Sequence, residues 1–314
     1  MARNLSQLET TFAGLALRSP IIAASAPPTE SAAAMRACAN AGAGAVVTKS
    51  ILDYARSDWP DIPRRVKRSG PRYWIQGSFA SETLTLAEGM AMVSSTRDSV
   101  EIPIIASIGV LDPTSDASIY TANRLVEAGA SFVHFDLFYL PQPRCTDTMI
   151  EALRGFFARA RTAIPVPFGP KLNADIPAHL FTVAFDPSAI DAVFLLDSIR
   201  VPPPLDVNGA PIIDAWRGGL ECSLFGSDWQ KPMSLQYARI LADARFRNLC
   251  VGGGLRSAED ILEAIMLGAA TAQIATQIII HGYDWIARTN DRLLELLAQT
   301  GRENLDDLRS LGLR

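Results

Sequence analysis

The sequence is poor in cysteine and has no long apolar run, and both shortages narrow the classes of protein it can encode. Its four cysteines, Cys38, Cys145, Cys222 and Cys250, form no C-x-x-C pair and follow no regular spacing. Neither a structural zinc site nor a disulfide framework is therefore indicated. No window approaches the roughly 20 apolar residues that a membrane helix needs, and residues 1–25 lack the pattern of a signal peptide. We expect a cytoplasmic protein without a metal site or a membrane segment.

The sequence also lacks a strong excess of charge of either sign. Its 314 residues carry a formal net charge of −4, which argues against a nucleic-acid surface. Basic residues are scattered, apart from Arg64, Arg65, Lys67 and Arg68 in a proline-rich stretch that we interpret as a solvated or ligand-facing loop. With 48% hydrophobic residues, the composition is typical of a soluble globular protein.

Short β-rich apolar runs alternate with helical patterns along the whole chain, which is typical of parallel strands joined by crossover helices. Eight strand–helix units predict a single-domain α/β fold over residues 1–314, a (β/α)8 TIM barrel. An open, doubly wound sheet is the alternative. The predicted strands span residues 20–25, 45–51, 103–110, 131–139, 166–173, 192–199, 248–255 and 270–280.

Two long stretches without periodicity, residues 53–80 and 200–231, follow the second and the sixth of these strands. The carboxyl ends of barrel strands form the face on which barrel enzymes build their active sites. Loops of this length in a compact domain usually bind a ligand or cover one. We therefore expect both stretches to lie at the catalytic face.

A glycine-rich segment near the C-terminus, VGGGL, is followed by a helical pattern and then by QIATQI. Glycine lets backbone amides approach an anion closely, and the seventh and eighth strands of barrels commonly end at a phosphate. Tight turns without a ligand are the alternative interpretation. The candidates for a phosphate cradle are Gly253, Gly254, Ala275 and Thr276.

Charged residues stand at the ends of four predicted strands: Lys49 in VVTKSI, Lys171 in GPKLN, Asp136 in VHFDLF and Asp197 in FLLDSI. A buried lysine is costly without an anionic partner, so a lysine at such a position usually faces a ligand. Structural salt bridges are the alternative. Two cations, two acids and a phosphate cradle suit a phosphorylated, electron-rich cofactor better than a bare sugar.

Taken in order, these motifs resemble the FMN-dependent dihydroorotate dehydrogenases and the related flavin domain of dihydropyrimidine dehydrogenase. The resemblance spans nearly the whole chain and rests on TTFAGLALRSPIIAAS, GAGAVVTKSI, GPKLN, GGL with KPMSL, and VGGGL with QIATQI. It implies a barrel with FMN at its carboxyl-terminal mouth, a small-molecule substrate and a homodimer. Lys171 would approach the N1–O2 edge of the flavin, where a cation stabilises the reduced ring. The FMN site implied by the resemblance comprises Ser25, Ala26, Thr48, Lys49, Ser50, Lys171, Gly226, Gly253, Gly254, Ala275 and Thr276.

The residues that would read the substrate depart from this family. Where members that oxidise dihydroorotate carry Asn and then Ser-Cys-Pro-Asn, with Cys or Ser as the base, this chain has Asp136 and, at the base position, Tyr139. A second Asn–Ser/Thr pair reads Asp197–Ser198, and Gln76 is a weak stand-in for a substrate-binding Asn. Ionised carboxylates only accept hydrogen bonds, so they favour a substrate with N–H donors or positive charge. We expect a small nitrogen-containing substrate other than dihydroorotate.

Tyr139 is the predicted proton-transfer residue, with Cys145 as the alternative and Lys49 as a further catalytic candidate at the flavin edge. A phenol has a reference pKa of about 10 and stays protonated at neutral pH. Tyr139 therefore fits a reduction in which FMN delivers hydride to one atom of a C=C or C=N bond and the phenol protonates the other. Simple packing over the flavin is its alternative role. His134 lies one layer below Asp136, where it either orients that residue or is a satisfied core histidine.

Three other functions stay open at this point. The chain could oxidise dihydroorotate with Tyr139 or Cys145 as an unusual base. It could be a non-redox, phosphate-binding lyase or isomerase that uses Lys49 or Lys171 as a Schiff base. It could also be a flavin-binding subunit that depends on an electron-transfer partner, which the sequence does not identify.

Overall fold

The computed structural model describes residues 5–52, 65–69, 72–76, 83–140, 145–196, 199–201, 205–210, 222–224, 230–309 and 311–313. Eight parallel strands close into a barrel in chain order, so the predicted (β/α)8 architecture is confirmed and the open sheet is wrong. We number them β1 (Ile21–Ala23), β2 (Ala45–Val47), β3 (Ile104–Gly109), β4 (Phe132–Asp136), β5 (Phe168–Lys171), β6 (Val193–Leu195), β7 (Leu249–Val251) and β8 (Ala269–Ile274).

Helices surround the barrel and begin and end at residues suited to those positions. Ser31 and Thr85 accept hydrogen bonds from backbone amides of the first helical turn, and Gly129 ends a helix with φ at 117°. Within the described ranges, no helix combines the length and apolar character that a membrane crossing requires. The helices are α1 (Ala32–Asn40), α2 (Leu86–Arg97), α3 (Ala117–Ala128), α4 (Asp147–Ala163), α5 (Ala178–Ala184), α6 (Gln230–Asp243), α7 (Ala258–Met266), α8 (Thr276–His281) and α9 (Asp284–Thr300).

The amino end of the barrel is closed by an aromatic plug. A hairpin of Thr10–Phe12 and Leu15–Leu17 brings Phe12 under the strands. There the ring centroid of Phe12 lies 5.7 Å from that of Phe132 and 5.4 Å from that of Phe194. All three rings are fully buried, and each contributes about 1.5–3 kcal/mol to folding. Apolar packing therefore fills the amino end, and polar side chains accumulate toward the carboxyl end.

Strand β4 shows how alternation along a strand sorts side chains between the barrel interior and the helices. Phe132 packs in the interior cluster, whereas Val133 and Phe135 belong to the core between strands and helices. His134 and Asp136 share the inward parity of Phe132. All five residues are buried, so the two polar ones lie in the enclosed interior of the barrel.

Several predicted strands end earlier than predicted, and two of these ends form other regular structure. Residues 276–280, predicted as part of the eighth strand, form helix α8, because a short apolar, β-branched run does not distinguish a strand from a buried helix. Residues 137–139, predicted as the end of the fourth strand, form a 3-10 turn. The carboxylate of Asp136 accepts a hydrogen bond from the amide of Phe138 and so caps that turn.

The two long stretches whose sequences lack periodicity each contain strands. Arg65–Ser69 pairs with Arg72–Gln76, and Ile199–Val201 pairs with Cys222–Leu224, both antiparallel. The strand Cys222–Leu224 lies against Arg72–Gln76, so the two insertions meet. Since they follow β2 and β6, they extend from the carboxyl face of the barrel.

Gly169 in β5 occupies a position that has no room for a side chain. A Cβ atom there would overlap the backbone carbonyl of Ala192, which directly precedes β6. We expect Gly169→Ala to lower the free energy of unfolding by about 3 kcal/mol, because barrel closure holds that carbonyl in place. The measurement is urea unfolding.

Gly155→Ala is the matched control for this prediction. Gly155 lies within α4, and a Cβ there would come no closer than 3.4 Å to the guanidinium of Arg159. Alanine is the better helix former by about 1 kcal/mol, so this variant is expected to be slightly stabilised. Equal stabilities for the two variants would contradict the packing argument.

Candidate active site

Three charged side chains are buried at the carboxyl end of the barrel. Lys49 follows β2 by two residues, and Asp136 and Lys171 end β4 and β5. Their exposed fractions are 4%, 2% and 4% respectively. Asp136 and Lys171 are register partners in the paired strands β4 and β5. Because the carboxyl ends of parallel strands meet at one end of a barrel, the predicted cluster of cations and acid forms at the expected face.

Asp136 uses both carboxylate oxygens within the protein. Its Oδ2 lies 3.9 Å from the Nζ of Lys171, and its Oδ1 accepts a hydrogen bond of 3.0 Å from the amide of Phe138. A buried carboxylate requires partners of this kind, since an isolated buried charge is strongly unfavourable. The residue predicted to read the substrate is therefore also tied to the residue predicted to contact the cofactor.

Tyr139 packs against the end of β3. Its side chain is 8% exposed and clusters with Leu52 and Phe138, whose ring is 5.6 Å away in an edge-on arrangement. A Cβ on Gly109 would lie 2.8 Å from the Cδ2 of Tyr139. Glycine at the end of β3 thus lets the Tyr139 ring lie over the strand end, in the wall of the mouth.

Hydroxyl groups link the ends of β1, β2 and β3. The Oγ of Ser50 lies 3.2 Å from the Oγ of Ser25 and 3.4 Å from that of Ser107. The Oγ1 of Thr48 accepts a hydrogen bond of 2.9 Å from the amide of Ser107. Ala26, next in the chain to Ser25, is also buried. The structure therefore brings together the residues predicted to edge the flavin.

The predicted phosphate cradle lies where β7 and β8 end side by side. Gly253 and Gly254 have φ of 80° and 85°, which favours glycine. A Cβ on Gly253 would also lie 2.5 Å from the Nε2 of Gln230, so that side chain of α6 would have to shift. Ala275 and Thr276 stand at the start of α8.

Three buried polar residues that the sequence analysis did not select have atoms without a hydrogen-bond partner in the described part of the chain. These atoms are the Nδ2 of Asn173, the Oγ1 of Thr271 and the Oε1 of Gln273. Asn173 lies within GPKLN, two residues beyond Lys171, and Gln273 begins QIATQI. Their position in these motifs was the sequence feature that could have identified them as candidates. Buried polar groups are normally satisfied, which favours a polar ligand or water at this face.

These features fit FMN. The unsatisfied amide atoms of Asn173 and Gln273 provide partners for a polar ring edge. The buried ammonium groups of Lys49 and Lys171 suit an anion. The glycine turn at Gly253 and Gly254, beside the first residues of α8, suits a phosphate.

Among the described residues, His134 neither orients Asp136 nor finds hydrogen-bond partners in the core, the two roles predicted for it. Its imidazole is fully buried and stacks on Phe194, with ring centroids 4.6 Å apart. Neither ring nitrogen has a hydrogen-bond partner in the described part of the chain, so the ring is not a satisfied core histidine and forms no hydrogen bond to Asp136. Burial, and then the charge of Lys171, holds the pKa of His134 well below its ordinary value. The ring is therefore neutral in the folded protein.

His134 is expected to make the protein less stable in acid. In the unfolded chain the imidazole binds a proton below about pH 6.5, whereas the folded protein keeps it neutral to lower pH. Below that pH, His134 therefore lowers the free energy of unfolding by up to about 1.4 kcal/mol per pH unit. The free energy of unfolding, measured with urea at about pH 7.5 and at about pH 5.5, should fall less between these two pH values for His134→Leu than for the wild type.

Phe194→Leu is the control for the acid effect, since it removes the stacking partner and keeps the imidazole. This variant should lose stability at both pH values and retain the pH dependence of the wild type. A His134→Leu protein that is as sensitive to acid as the wild type would show that another group carries the effect.

The remaining candidates lie at the rim or outside the described residues. Cys145 is exposed, and its thiol donates a hydrogen bond of 2.6 Å to the carbonyl oxygen of Asp175, in the loop after β5. Burial, followed by the nearby Cys145 and Asp175, raises the pKa of Tyr237 in the same region. Three predicted site residues, Asp197, Ser198 and Gly226, lie outside the described residues, as does the side chain of Gln76.

No protein-family model matches this sequence. Among curated proteins, it is 22% identical over 296 residues to the catalytic subunit of dihydroorotate dehydrogenase B (NAD(+)) from Thermoplasma volcanium, covering 91% of this chain and 93% of that protein. The same subunit from Methanothermobacter thermautotrophicus is 23% identical over 316 residues, covering 96% and 97%. NAD-dependent dihydropyrimidine dehydrogenase subunit PreA from Escherichia coli K12 is 26% identical over 124 residues, covering 38% and 29%. The chain is therefore a closed barrel that is similar, at low identity, to catalytic subunits of dihydroorotate dehydrogenase and to a subunit of dihydropyrimidine dehydrogenase.

Proposed function

We propose that this chain is an FMN-dependent oxidoreductase that acts on a C=C or C=N bond of a small, nitrogen-containing molecule, or on the corresponding saturated bond. The observation that carries the proposal is the burial of Lys49, Lys171 and Asp136 together at the carboxyl mouth of the barrel. The relatives named above are dehydrogenases. Buried ammonium groups at this face suit a phosphorylated cofactor whose reduced ring is negatively charged.

In this proposal the chain binds FMN through two sets of residues. When bound, FMN supplies the group that takes up and gives back a hydride. The phosphate is held by backbone amides at the ends of β7 and β8, and the ring is bordered by hydroxyl and ammonium groups at the ends of β1, β2 and β5. The proposed phosphate residues are Gly253, Gly254, Ala275 and Thr276, and Gly226 is proposed as a further FMN-binding residue. The proposed ring residues are Ser25, Ala26, Thr48, Lys49, Ser50 and Lys171.

Tyr139 is the proposed proton donor in the reducing direction. The substrate double bond takes hydride on one atom and the phenolic proton on the other, and Tyr139 then recovers a proton from solvent. The 3-10 turn capped by Asp136 fixes the backbone on which the Tyr139 side chain sits. Cys145 is the weaker candidate, because its thiol is exposed and already donates to the carbonyl of Asp175.

A substrate other than dihydroorotate is proposed because carboxylates occupy positions where the family carries amides. Asp136 and Asp197 can only accept hydrogen bonds when ionised, so they favour a substrate that donates through N–H groups. Dihydroorotate itself is the second candidate, since relatives similar over nearly the whole chain are named dihydroorotate dehydrogenases.

The ion pair between Lys171 and Asp136 disfavours the Schiff-base alternative for that lysine. Schiff-base formation requires a neutral amine, and a carboxylate 3.9 Å away stabilises the charged ammonium. The relatives' names describe catalytic subunits. We therefore propose that the chain exchanges electrons with a partner protein, which copurification would test. From the family resemblance we also propose a cytoplasmic homodimer, and light scattering would test the dimer.

The decisive experiment is reconstitution of the purified chain with FMN, followed by an anaerobic substrate screen. The expected result is a yellow protein whose flavin is bleached by a reduced nitrogen heterocycle, or is reoxidised by its unsaturated form. If dihydroorotate bleached the flavin as fast as the best other compound in the screen, dihydroorotate would be favoured as the substrate. A colourless protein that borohydride traps together with a carbonyl compound would overturn the proposal and favour a Schiff-base enzyme.

A further inference from the structure

We infer that Asp136 is a positioning residue that offsets the charge of Lys171 and thereby lowers the reduction potential of the bound flavin, which biases the enzyme toward reducing its substrate. This inference rests on the proposed FMN chemistry and adds a direction to it. It starts from the ion pair that joins the ends of β4 and β5.

The ion pair is enclosed by the protein. The Nζ of Lys171 and the Oδ2 of Asp136 lie 3.9 Å apart, and the two side chains are 5% and 3% exposed. Charges in such a place are little screened by water or salt. Each group therefore strongly alters the field that the other presents to a ligand at the mouth.

Two other titratable groups close to Lys171 are neutral. Burial lowers the pKa of His134 well below its ordinary value and raises the pKa of Cys250 to about 12, and both groups lie close enough to feel the charge of Lys171. The imidazole and the thiol are therefore uncharged at neutral pH. Asp136 is a negative group that the structure shows against Lys171.

The charge beside the flavin ring affects how readily the cofactor is reduced. Reduction of oxidised FMN by two electrons and one proton leaves one negative charge on the ring, and a cation beside the ring favours that state. A carboxylate that partly cancels the cation removes some of this stabilisation. The reduced cofactor is then a stronger reductant, and transfer of its hydride to an unsaturated substrate is favoured.

Asp136 also fixes the geometry of this arrangement. Its Oδ1 caps the turn that carries Tyr139, through the 3.0 Å hydrogen bond from the amide of Phe138. The same side chain thus sets both the charge beside Lys171 and the backbone beneath the proposed proton donor. Asparagine can keep the cap with its amide oxygen but carries no charge, so Asp136→Asn separates the two effects.

The test is the midpoint potential of the FMN-loaded protein, measured by slow reduction against a reference dye. Asp136→Asn is expected to shift the potential to a more positive value and to bind sulfite at the flavin more tightly than the wild type. Asp136→Glu keeps the charge and is expected to shift the potential less. An unchanged or more negative potential for Asp136→Asn overturns the inference.

Asp191→Asn is the matched control at the opposite end of the barrel. Asp191 pairs with Arg161 at 2.9 Å and accepts a hydrogen bond of 2.9 Å from the amide of Phe168, so it combines an ion pair and a backbone contact as Asp136 does. This variant loses the same charge and should leave the potential unchanged. An equal shift in both variants would show a general charge effect and overturn the inference.

Two outcomes separate this inference from the function on which it rests. A wild-type protein that binds no FMN refutes the proposed function and the inference together. A wild-type protein that binds FMN while Asp136→Asn leaves the potential unmoved refutes the inference alone. If Asp136→Asn does not fold, Asp136→Ser keeps an oxygen for the cap, and failure of both to fold assigns Asp136 a purely structural role and overturns the inference.

Discussion

Replacing Lys171 with methionine is expected to lower the turnover of the FMN-loaded protein about 10²–10³-fold, the usual cost of removing one charge-stabilising group from an active site. The same variant is expected to lose about 3–5 kcal/mol of stability, because Asp136 remains buried without its cationic partner. Turnover with the substrate found in the screen and urea unfolding measure the two effects separately.

A double variant distinguishes the catalytic effect of Lys171 from the structural one. Combining Lys171→Met with Asp136→Asn removes both charges, so most of the lost stability should return while turnover stays low. Recovery of turnover together with stability would show that Lys171 serves only the fold.

Arg161→Met is the control for the loss of a positive charge. Arg161 pairs with Asp191 near the amino end of β6, and its side chain is 41% exposed. Since a surface ion pair contributes only about 0–1 kcal/mol, stability should change little and turnover should not change. A large loss of turnover in this variant would show that the assay responds to net charge.

Tyr139→Phe is expected to lower turnover about 10²–10⁴-fold in the reducing direction, the range that general acid catalysis contributes. Phenylalanine keeps the ring that packs on Leu52, Phe138 and the end of β3, so folding and FMN binding should be retained. Stopped-flow measurement of flavin reoxidation by the substrate, in water and in deuterium oxide, would detect loss of the proton-transfer step. Near-normal turnover would leave Tyr139 with a packing role only.

Cys145→Ser tests the competing proton donor. The thiol is exposed and donates a hydrogen bond to the carbonyl oxygen of Asp175, and serine can make the same hydrogen bond. If Tyr139 is the donor, turnover of Cys145→Ser should stay close to that of the wild type. A loss confined to the cysteine variant would transfer the role to Cys145.

The barrel itself could be predicted from the sequence because its signal is local. Each strand is a short apolar run that is buried on both sides, and the runs alternate with amphipathic helical segments. Strand ends were less predictable. The run after Ala275 has the composition of a strand yet forms α8, and the end of the fourth strand turns at Tyr139 because Asp136 caps the backbone. Both depend on contacts that composition does not encode.

The position of charged side chains at the strand ends could also be predicted from the sequence, because buried lysine and aspartate are costly and therefore conspicuous there. Asn173 and Gln273 were missed, since an amide in an apolar motif becomes informative only when the structure shows that one of its atoms has no partner among the described residues. For His134, strand parity predicted its inward direction but not its stacking on Phe194.

The sequence by itself determined the barrel, the face at which charged side chains gather and the kinds of side chain there, because strand periodicity and the cost of buried charge act within a few residues. Only the tertiary structure decided which of those side chains meet. Asp136 and Lys171 are 35 positions apart in the chain and face each other because β4 and β5 pair in one register. That pairing connects an acid predicted to read the substrate with a cation predicted to serve the cofactor, and a distance of 3.9 Å between buried charges is set by strand register and barrel closure.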